Sequence, residues 1–308
     1  MTDVLTQLRS ACAEIAERAR FVRVEPEPTA AYIGTLPVDP PGPEPDPGSH
    51  LTEGPREELA AFWLTLDAIN FGSGWFPTLR KRDGRSGYYT VATGVRNRFV
   101  TKGRWSPAEL THIDASEVAK ALGQDPDHEL MALFARSLND LGRRVATDHG
   151  GHFAAVVDAA ESSAVALVER LQGWDSFADS SRYDGLTVPF LKRAQIAAAD
   201  LARAGAGAFR DLDRLTMFAD NLVPHVLRMD GLLNYDPALL DRIERGELIE
   251  HGSPEEVEIR ACALHAVRLI AAERPGATEA EIDHVLWHRG QEPRYKASPR
   301  HRSRCTAY

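Results

Sequence analysis

Cysteine is scarce in this chain, with only Cys12, Cys262 and Cys305 among 308 residues. Three scattered thiols are too few for a disulfide scaffold and lack the paired spacing of a zinc cluster. The first twenty residues do not have the basic and then apolar layout of a signal peptide. No apolar run approaches the roughly 20 residues that a membrane span requires. We therefore expect a reduced, cytoplasmic protein with no membrane association.

Positive charge is also in deficit, because 36 Lys and Arg stand against 45 Asp and Glu, a net charge of −9. Proteins that bind nucleic acid mainly through charge need a basic surface, so we expect no direct nucleic acid binding. The deficit is uneven. Residues 289–304 hold six basic residues and one acidic residue, whereas the rest of the chain has 30 basic and 44 acidic residues, a balance of −14.

The apolar pattern is helical over most of the chain and predicts one mainly α domain. Its parts are an N-terminal helix within 1–24, an extended segment at 25–55 that holds nine of the 19 prolines, and a main body at 56–308. We expect a small β-hairpin near 78–92, because the turn signal Asp83-Gly84 lies between aromatic and β-branched runs.

The most informative block runs from 188 to 233 and holds a lysine and an aspartate. Lys192 lies beside an apolar helical stripe, as a surface lysine often does. Leu212, Leu215, Phe218 and Leu222 form a predicted helical stripe, and Pro224 suits the start of a new helix, so Asp220 lies close to a junction between two helices. Asp220 therefore either caps a turn or points into a cleft. A lysine-bearing helix, a turn and an aspartate at a helix start also occur in helix-hairpin-helix base-excision glycosylases.

Several segments in and around this block match one family. They are LDAINF (66–71), SGYY (86–89), FLKRAQ (190–195), LTMFAD (215–220), VEIRAC (257–262) and the chain end, where Pro299, His301, Arg302, Arg304 and Tyr308 fit. By these segments the chain resembles the queuosine salvage family, the queuosine 5′-phosphate N-glycosylases. The resemblance implies a helical fold similar to that of DNA glycosylases. It also implies hydrolysis of queuosine 5′-monophosphate to queuine and ribose 5-phosphate, with Lys192 and Asp220 as the family's catalytic pair. We expect no metal and no cofactor.

The chemistry of such a reaction suits these two residues. Breaking an N-glycosidic bond passes through an oxocarbenium-like sugar, which a carboxylate stabilises while it accepts a proton from the attacking water. We assign this role to Asp220. Queuine has carbon in place of the purine N7, so other donors to the base matter more, and Lys192 is the candidate. Whether Lys192 acts as an acid, as an ion-pair partner of Asp220 or through a Schiff base is left open.

Further candidates bind the substrate. Aromatic side chains should stack on the base and polar ones should bond to it, and the candidates are Phe71, Trp75, Trp287, Asp67, Asn70 and His225. Core packing is the alternative for Phe71 and Trp287. His225 stands where the family commonly has Gln, and Asn221-Leu222 replaces a Tyr-Arg pair typical of eukaryotic members, so the base contacts are the least secure part of the resemblance.

The 5′-phosphate needs concentrated donors, and arginine forks match phosphate oxygens. We expect His301, Arg302 and Arg304 to bind it, because the apolar chain end argues against a loose tail. Glu258 and Arg260, by contrast, are expected to form an internal ion pair.

Two other functions fit parts of the pattern. A glycosylase-like enzyme acting on damaged DNA or modified tRNA would need an extended basic face, which the charge balance does not favour. A noncatalytic protein that carries the queuosine nucleotide would bind it without releasing the base. A small-molecule nucleotide is the expected partner, and the sequence does not predict an oligomeric state.

Overall fold

The computed structural model describes residues 2–25, 32–37, 45–82 and 84–308. Most of these residues are helical, which confirms the predicted mainly α class. The helices are α1 (Val4–Arg18), α2 (Arg56–Ala68), α3 (Gly87–Lys102), α4 (Pro107–His112), α5 (Ala115–Leu122), α6 (Glu129–Asp148), α7 (Phe153–Asp158), α8 (Ala164–Leu171), α9 (Lys192–Arg203), α10 (Val223–Met229), α11 (Pro237–Glu244), α12 (Pro254–Ala272), α13 (Glu279–Arg289) and α14 (Pro293–Lys296). The strands are β1 (Val22–Val24), β2 (Ser180–Tyr183), β3 (Leu186–Pro189) and β4 (Leu233–Tyr235).

The N-terminal helix α1 is a fixed part of the body. Asp3 caps it by accepting the backbone N–H groups of Leu5 and Thr6, which its first turn leaves unpaired. Its apolar stripe packs on α12, and the chain then enters β1, which pairs antiparallel with β4 so that Val22 lies opposite Tyr235. Residues from Val4 to Tyr295 contribute to the same hydrophobic core.

Helices α2 and α12 each contain a long run of buried residues. Every residue of α2 from Leu59 to Ala68 is buried, and α12 is buried almost throughout its first half. α12 therefore carries the charged side chains Glu256, Glu258 and Arg260 into the interior. Buried charges require partners, and these partners organise the site described below.

The hairpin expected near 78–92 is wrong. The chain there forms a 3₁₀ turn at Phe76–Thr78 and then α3, which begins after its cap Ser86. A serine cap followed by Gly-Tyr-Tyr-Thr supports a helix as well as a strand, and packing decided for the helix. Asp83 lies outside the described residues. A hairpin does form between β2 and β3, at the other Asp-Gly pair, Asp184-Gly185, where both residues have positive φ as a two-residue hairpin turn requires.

The helix predicted over Leu212–Leu222 is also wrong. A 3₁₀ turn spans Leu212–Arg214, and no regular helix follows until α10. Side chains from elsewhere bond the backbone groups that such a helix would use: Gln195 accepts from the N–H of Thr216 (2.9 Å) and Asp283 from that of Phe218 (3.0 Å). Long-range polar contacts thus override the local apolar period.

Of the Pro-rich segment predicted as extended, residues 26–31 and 38–44 lie outside the described residues. Its last part is described and forms a turn, in which Asp46 accepts from Gly48 and Ser49 and pairs with Arg85 (2.6 Å). Among the helices that the structure describes, none is long and apolar enough to cross a bilayer.

Candidate active site

A cavity of about 700 Å³ opens between α3, α9, α13 and the C-terminal segment 295–308. The loop after α2 forms its floor, and the C-terminal segment is docked on that loop by the N–H of Gly72, which donates to the carbonyl of Tyr308 (3.0 Å). Gly74 permits this approach, because a Cβ at this position would lie 2.4 Å from the carbonyl oxygen of Ser303. Residues distant in the sequence therefore share one pocket.

Helix α9 presents one face to the cavity, formed by Lys192, Ile196, Asp200 and Arg203 at spacings of four, four and three. The helix starts abruptly after β3. Leu191 adopts a left-handed conformation with φ of 51°, and the carboxylate of Asp179 accepts the N–H of Lys192 (3.0 Å). A strained, buried turn thus sets where α9 begins and which way Lys192 points.

Lys192 is a buried residue of the cavity wall, with 6% of its surface exposed, so it is not a surface lysine. Its ammonium donates to the backbone carbonyl of Asn70 (2.9 Å) and lies 3.4 Å from the Asn70 side-chain oxygen. Burial lowers the pKa of Lys192, and the nearby charge of Asp220 opposes that effect.

Asp220 combines both roles that its sequence position allowed. Its Oδ1 atom accepts the N–H groups of Leu222 (2.8 Å) and Val223 (3.1 Å) and so caps the turn into α10. The residue also lines the cavity. Within the described part of the chain no donor bonds its Oδ2 atom, which leaves one carboxylate oxygen for a ligand in the cavity.

Arg260 links the supports of these two residues. Its guanidinium forms a two-pronged ion pair with Asp179 (2.7 and 3.0 Å) and donates to the backbone carbonyl of Ala219 (3.0 Å). Asp179 in turn holds the N–H of Lys192, and Ala219 precedes Asp220. One buried side chain therefore fixes the spacing between the lysine and the aspartate.

The predicted ion pair between Glu258 and Arg260 is wrong, although both are fully buried. Glu258 accepts the N–H groups of Arg20, Phe21 and Val22 (2.6–3.0 Å) and the hydroxyl of Tyr183 (2.7 Å). Residues two apart on a helix project in different directions, so Glu258 and Arg260 bind different neighbours.

Three further buried carboxyl groups lie in or behind the cavity wall. Asp283 lines the cavity, and burial together with the charge of Asp220 raises its pKa well above the ordinary value. Asp200 also lines the cavity and pairs with Arg203, and burial raises its pKa to about 6. Asp67 is fully buried behind the cavity wall, where burial and then the charge of Asp200 raise its pKa.

Basic side chains gather beside Asp220. Arg300, Arg302, Lys81 and Lys296 all line the cavity. Burial lowers the pKa of Arg300, opposed by Asp220, and burial and then the charge of Arg300 lower the pKa of Lys81. Arg302 donates to the carbonyl of Gly246 (2.9 Å), whereas no described residue forms a hydrogen bond or ion pair with the guanidinium of Arg300. An unpaired arginine on a cavity wall suits an anionic ligand.

Aromatic rings form another wall of the cavity. Tyr88 and Tyr89 lie with Trp287 in a cluster whose ring centroids are 5.3–6.2 Å apart, and His50 donates or accepts a hydrogen bond with the Tyr88 hydroxyl (2.9 Å). Phe71 also lines the cavity, while its ring packs against Phe134. Flat apolar groups and polar groups thus meet in one pocket, as in sites for heterocyclic bases.

A family model described as queuosine salvage protein matches residues 49–308. The chain belongs to this family.

Relatives in the queuosine salvage family resemble the chain over most of its length. A protein of Sphaerobacter thermophilus named queuosine 5′-phosphate N-glycosylase/hydrolase is 38% identical over 276 residues, which cover 84% of each chain. Proteins of the same name from Bos taurus and Mus musculus are 32% and 35% identical over 283 and 285 residues. These alignments cover 82% of this chain and 82% and 83% of the two relatives.

The structure of this family member brings together only part of the predicted site. Lys192, Asp220, Asn70, Phe71, Trp287 and Arg302 line the cavity. The remaining predicted residues, Asp67, Trp75, His225, His301 and Arg304, are not among its lining residues.

Those residues have other surroundings. The indole of Trp75 donates to Glu129 (2.8 Å), and Arg304 lies over the Trp75 ring and pairs with Glu129 (3.5 Å). His225 bonds the carbonyl of Tyr295 (2.8 Å), and the ring of His301 lies 3.4 Å from the Tyr308 hydroxyl. We therefore remove these four from the proposed substrate contacts and keep Asp67 as a support behind Asp200.

Sequence reasoning missed Arg300, Lys81, Asp200, Asp283 and Tyr88. Arg300 could have been found from the alternation of an extended chain. The C-terminal segment has no helix after Ala297, and an extended chain turns alternate residues to one side. Arg300 and Arg302 share the cavity side, whereas His301 and Ser303 are buried in protein. Asp200 likewise follows Lys192 by eight residues, the helical spacing of one face.

Proposed function

We propose that the chain hydrolyses the N-glycosidic bond of queuosine 5′-monophosphate and releases queuine and ribose 5-phosphate. The observation that carries this proposal is the arrangement around Asp220. Its free oxygen lies in a cavity that also holds the buried amine of Lys192 and the unpaired guanidinium of Arg300. The relatives from Sphaerobacter thermophilus, Bos taurus and Mus musculus are named queuosine 5′-phosphate N-glycosylase/hydrolase, which supports the same reaction.

The proposed orientation follows from the charges. The 5′-phosphate binds to Arg300 with Lys81 and Arg302, because these cations lie beside Asp220 and Arg300 has no protein partner among the described residues. The ribose then lies over Asp220. The base extends toward Asn70, Phe71 and the aromatic wall around Trp287.

Asp220 is the proposed centre of the reaction. As the bond between C1′ and the base breaks, positive charge develops on the sugar, and the Oδ2 atom of Asp220 stabilises it. The same oxygen accepts a proton from the water that attacks C1′. The two backbone N–H bonds to Oδ1 keep the carboxylate oriented, so little rearrangement is needed when the charge appears.

The departing base needs a proton or a cation, and two groups provide one. Lys192 has a lowered pKa and a fixed position on Asn70, which suits proton transfer or stabilisation of the leaving anion. Asp283 has a raised pKa and lines the same cavity, which suits it as a second donor to the ring nitrogens. We assign the catalytic unit to residues 56–308. We expect it to act on the free mononucleotide, in the cytoplasm.

The test is a chromatographic assay of base release from queuosine 5′-monophosphate and from queuosine without the phosphate. We expect release from both, with a large preference for the nucleotide. Asp220→Asn should lower kcat by about 10²–10³-fold while nucleotide binding persists, because the carboxamide keeps the turn bonds but not the charge.

Four results would contradict the proposal. Equal rates on nucleotide and nucleoside would rule out the proposed phosphate site. Unchanged release by Asp220→Asn would rule out the proposed catalytic role of Asp220. Release from intact tRNA or DNA, with none from the mononucleotide, would favour the polynucleotide glycosylase. Binding without any release by the wild-type protein would identify a carrier.

A further inference from the structure

Asp200 is a cavity residue that the proposed reaction does not use. It lies eight residues after Lys192 on the same face of α9, about 12 Å along the helix axis at 1.5 Å per residue. Its charged neighbours are Arg203 and, more distantly, Lys192. Arg300, the main cation proposed to bind phosphate, is instead a neighbour of Asp220. The cavity therefore contains a second polar centre, separate from the reacting bond.

The charges at this centre do not balance. Asp200 and Asp67 interact with each other, and one guanidinium, that of Arg203, pairs with Asp200. The Oδ2 atom of Asp67 is fully buried without a hydrogen-bond partner. The ammonium of Lys192 is already bonded to Asn70. Two buried carboxyl groups thus have one directly paired cation, and the charge of Lys192 is divided between them and Asp220, so a proton or a further cation would stabilise this centre.

Queuosine can supply that cation. On C7 of its deazaguanine it carries an aminomethyl arm that ends in a cyclopentene diol, and the secondary amine of the arm is protonated at neutral pH. With the glycosidic bond at Asp220 and Lys192, the arm runs along α9.

We propose that Asp200 binds the protonated secondary amine of the C7 arm and thereby selects queuosine nucleotides over nucleotides that lack it. This inference rests on the proposed function. Asp67 supports Asp200 from behind and adds to the negative potential. Tyr88 bonds His50 through its hydroxyl, and burial and then the charge of Asp200 raise its pKa. With Asp200 nearby, Tyr88 and Trp287 are placed to cover the cyclopentene ring.

The test compares two nucleotides of the same shape: queuosine 5′-monophosphate and an analogue with an ether oxygen in place of the amine nitrogen. Both kcat/KM and the dissociation constant are measured for the wild-type protein and for Asp200→Asn. We expect the wild-type protein to prefer the amine by about tenfold to a hundredfold, the range for a hydrogen bond to a charged group. Asp200→Asn should reduce this ratio toward one.

Asp140→Asn is the matched control. Asp140 is also a buried helical aspartate paired with an arginine three residues later, Arg143 (3.3 Å), but it does not line the cavity. Its substitution should lower stability and leave the amine-to-ether ratio unchanged.

The inference is overturned if the wild-type protein treats the two nucleotides alike, or if Asp200→Asn weakens both equally. The wild-type comparison decides even if Asp200→Asn fails to fold. Failure of the proposed function looks different, because the folded wild-type protein then releases no base from either nucleotide. In that case the ratio of dissociation constants still tests Asp200.

Discussion

Replacement of Arg300 by alanine is the sharpest test of how the cavity binds phosphate. Arg300 and Arg304 belong to the same basic segment, and sequence reasoning chose Arg304. The structure separates them: Arg300 lines the cavity beside Asp220, whereas Arg304 has 48% of its side chain exposed and pairs with Glu129. The two substitutions should therefore have different effects on the same reaction.

The expected magnitude follows from the state of the Arg300 guanidinium. Since no described residue bonds it, its donors are available to a phosphate, and a two-pronged contact is the usual geometry. Hydrogen bonds between charged groups contribute about 1.5–3 kcal/mol each, so we take about 3 kcal/mol for the contact. At about 1.4 kcal/mol per tenfold change, Arg300→Ala should lower kcat/KM for queuosine 5′-monophosphate by roughly 10²-fold. Lys81 and Arg302 should preserve residual binding.

The assay measures base release from the nucleotide and from the nucleoside for Arg300→Ala, Arg304→Ala and the wild-type protein. Arg300→Ala should leave the nucleoside rate within about threefold, since the lost contact is made only to phosphate. Arg304→Ala should leave both rates close to those of the wild-type protein. The reasoning is refuted if Arg304→Ala costs as much as Arg300→Ala, or if Arg300→Ala slows nucleoside and nucleotide equally.

Two further predictions concern stability. Asp179→Asn should lower the free energy of unfolding by about 3–5 kcal/mol, because it leaves the buried guanidinium of Arg260 without its main partner. The control is Asp158→Asn, in an exposed pair with Arg56, which should cost less than about 1 kcal/mol. Urea denaturation measures both, and equal losses would contradict this role of Asp179. Asp200 has a folded pKa of about 6 against 3.8 for an unperturbed aspartate, so the folded state holds its proton more tightly than the unfolded state. The contribution of this group to stability is therefore lost as the pH rises from about 4 to about 6. The loss is of the order of 3 kcal/mol, and Asp200→Asn should gain stability relative to the wild-type protein over this range, whereas a pH-independent difference would show that Asp200 titrates normally.

The sequence predicted what local patterns determine. Helix α1 has both a capping aspartate and an apolar stripe, and the structure confirms it at Val4–Arg18. The helix that carries Lys192, predicted from its apolar stripe, is observed at Lys192–Arg203. In both cases the residues that decide the structure are neighbours in the chain.

Predictions failed where distant residues decide the structure. The stripe of Leu212, Leu215, Phe218 and Leu222 has a helical period, but Gln195 and Asp283 take its backbone N–H groups from other helices. Trp75 and Tyr88 are both aromatic, and only the tertiary packing turns Tyr88 toward the cavity and Trp75 toward Glu129. Side-chain direction in a loop has no sequence period from which to derive it.

Arg260 ties catalysis to the cooperativity of folding. Through Asp179 and Ala219 it anchors the backbone on both sides of the proposed reaction, from a fully buried position at the centre of α12. Lys192 and Asp220 therefore cannot separate unless the core around α12 opens as well. Loss of activity in denaturant should coincide with global unfolding instead of preceding it, so that activity itself serves as a probe of the folded population.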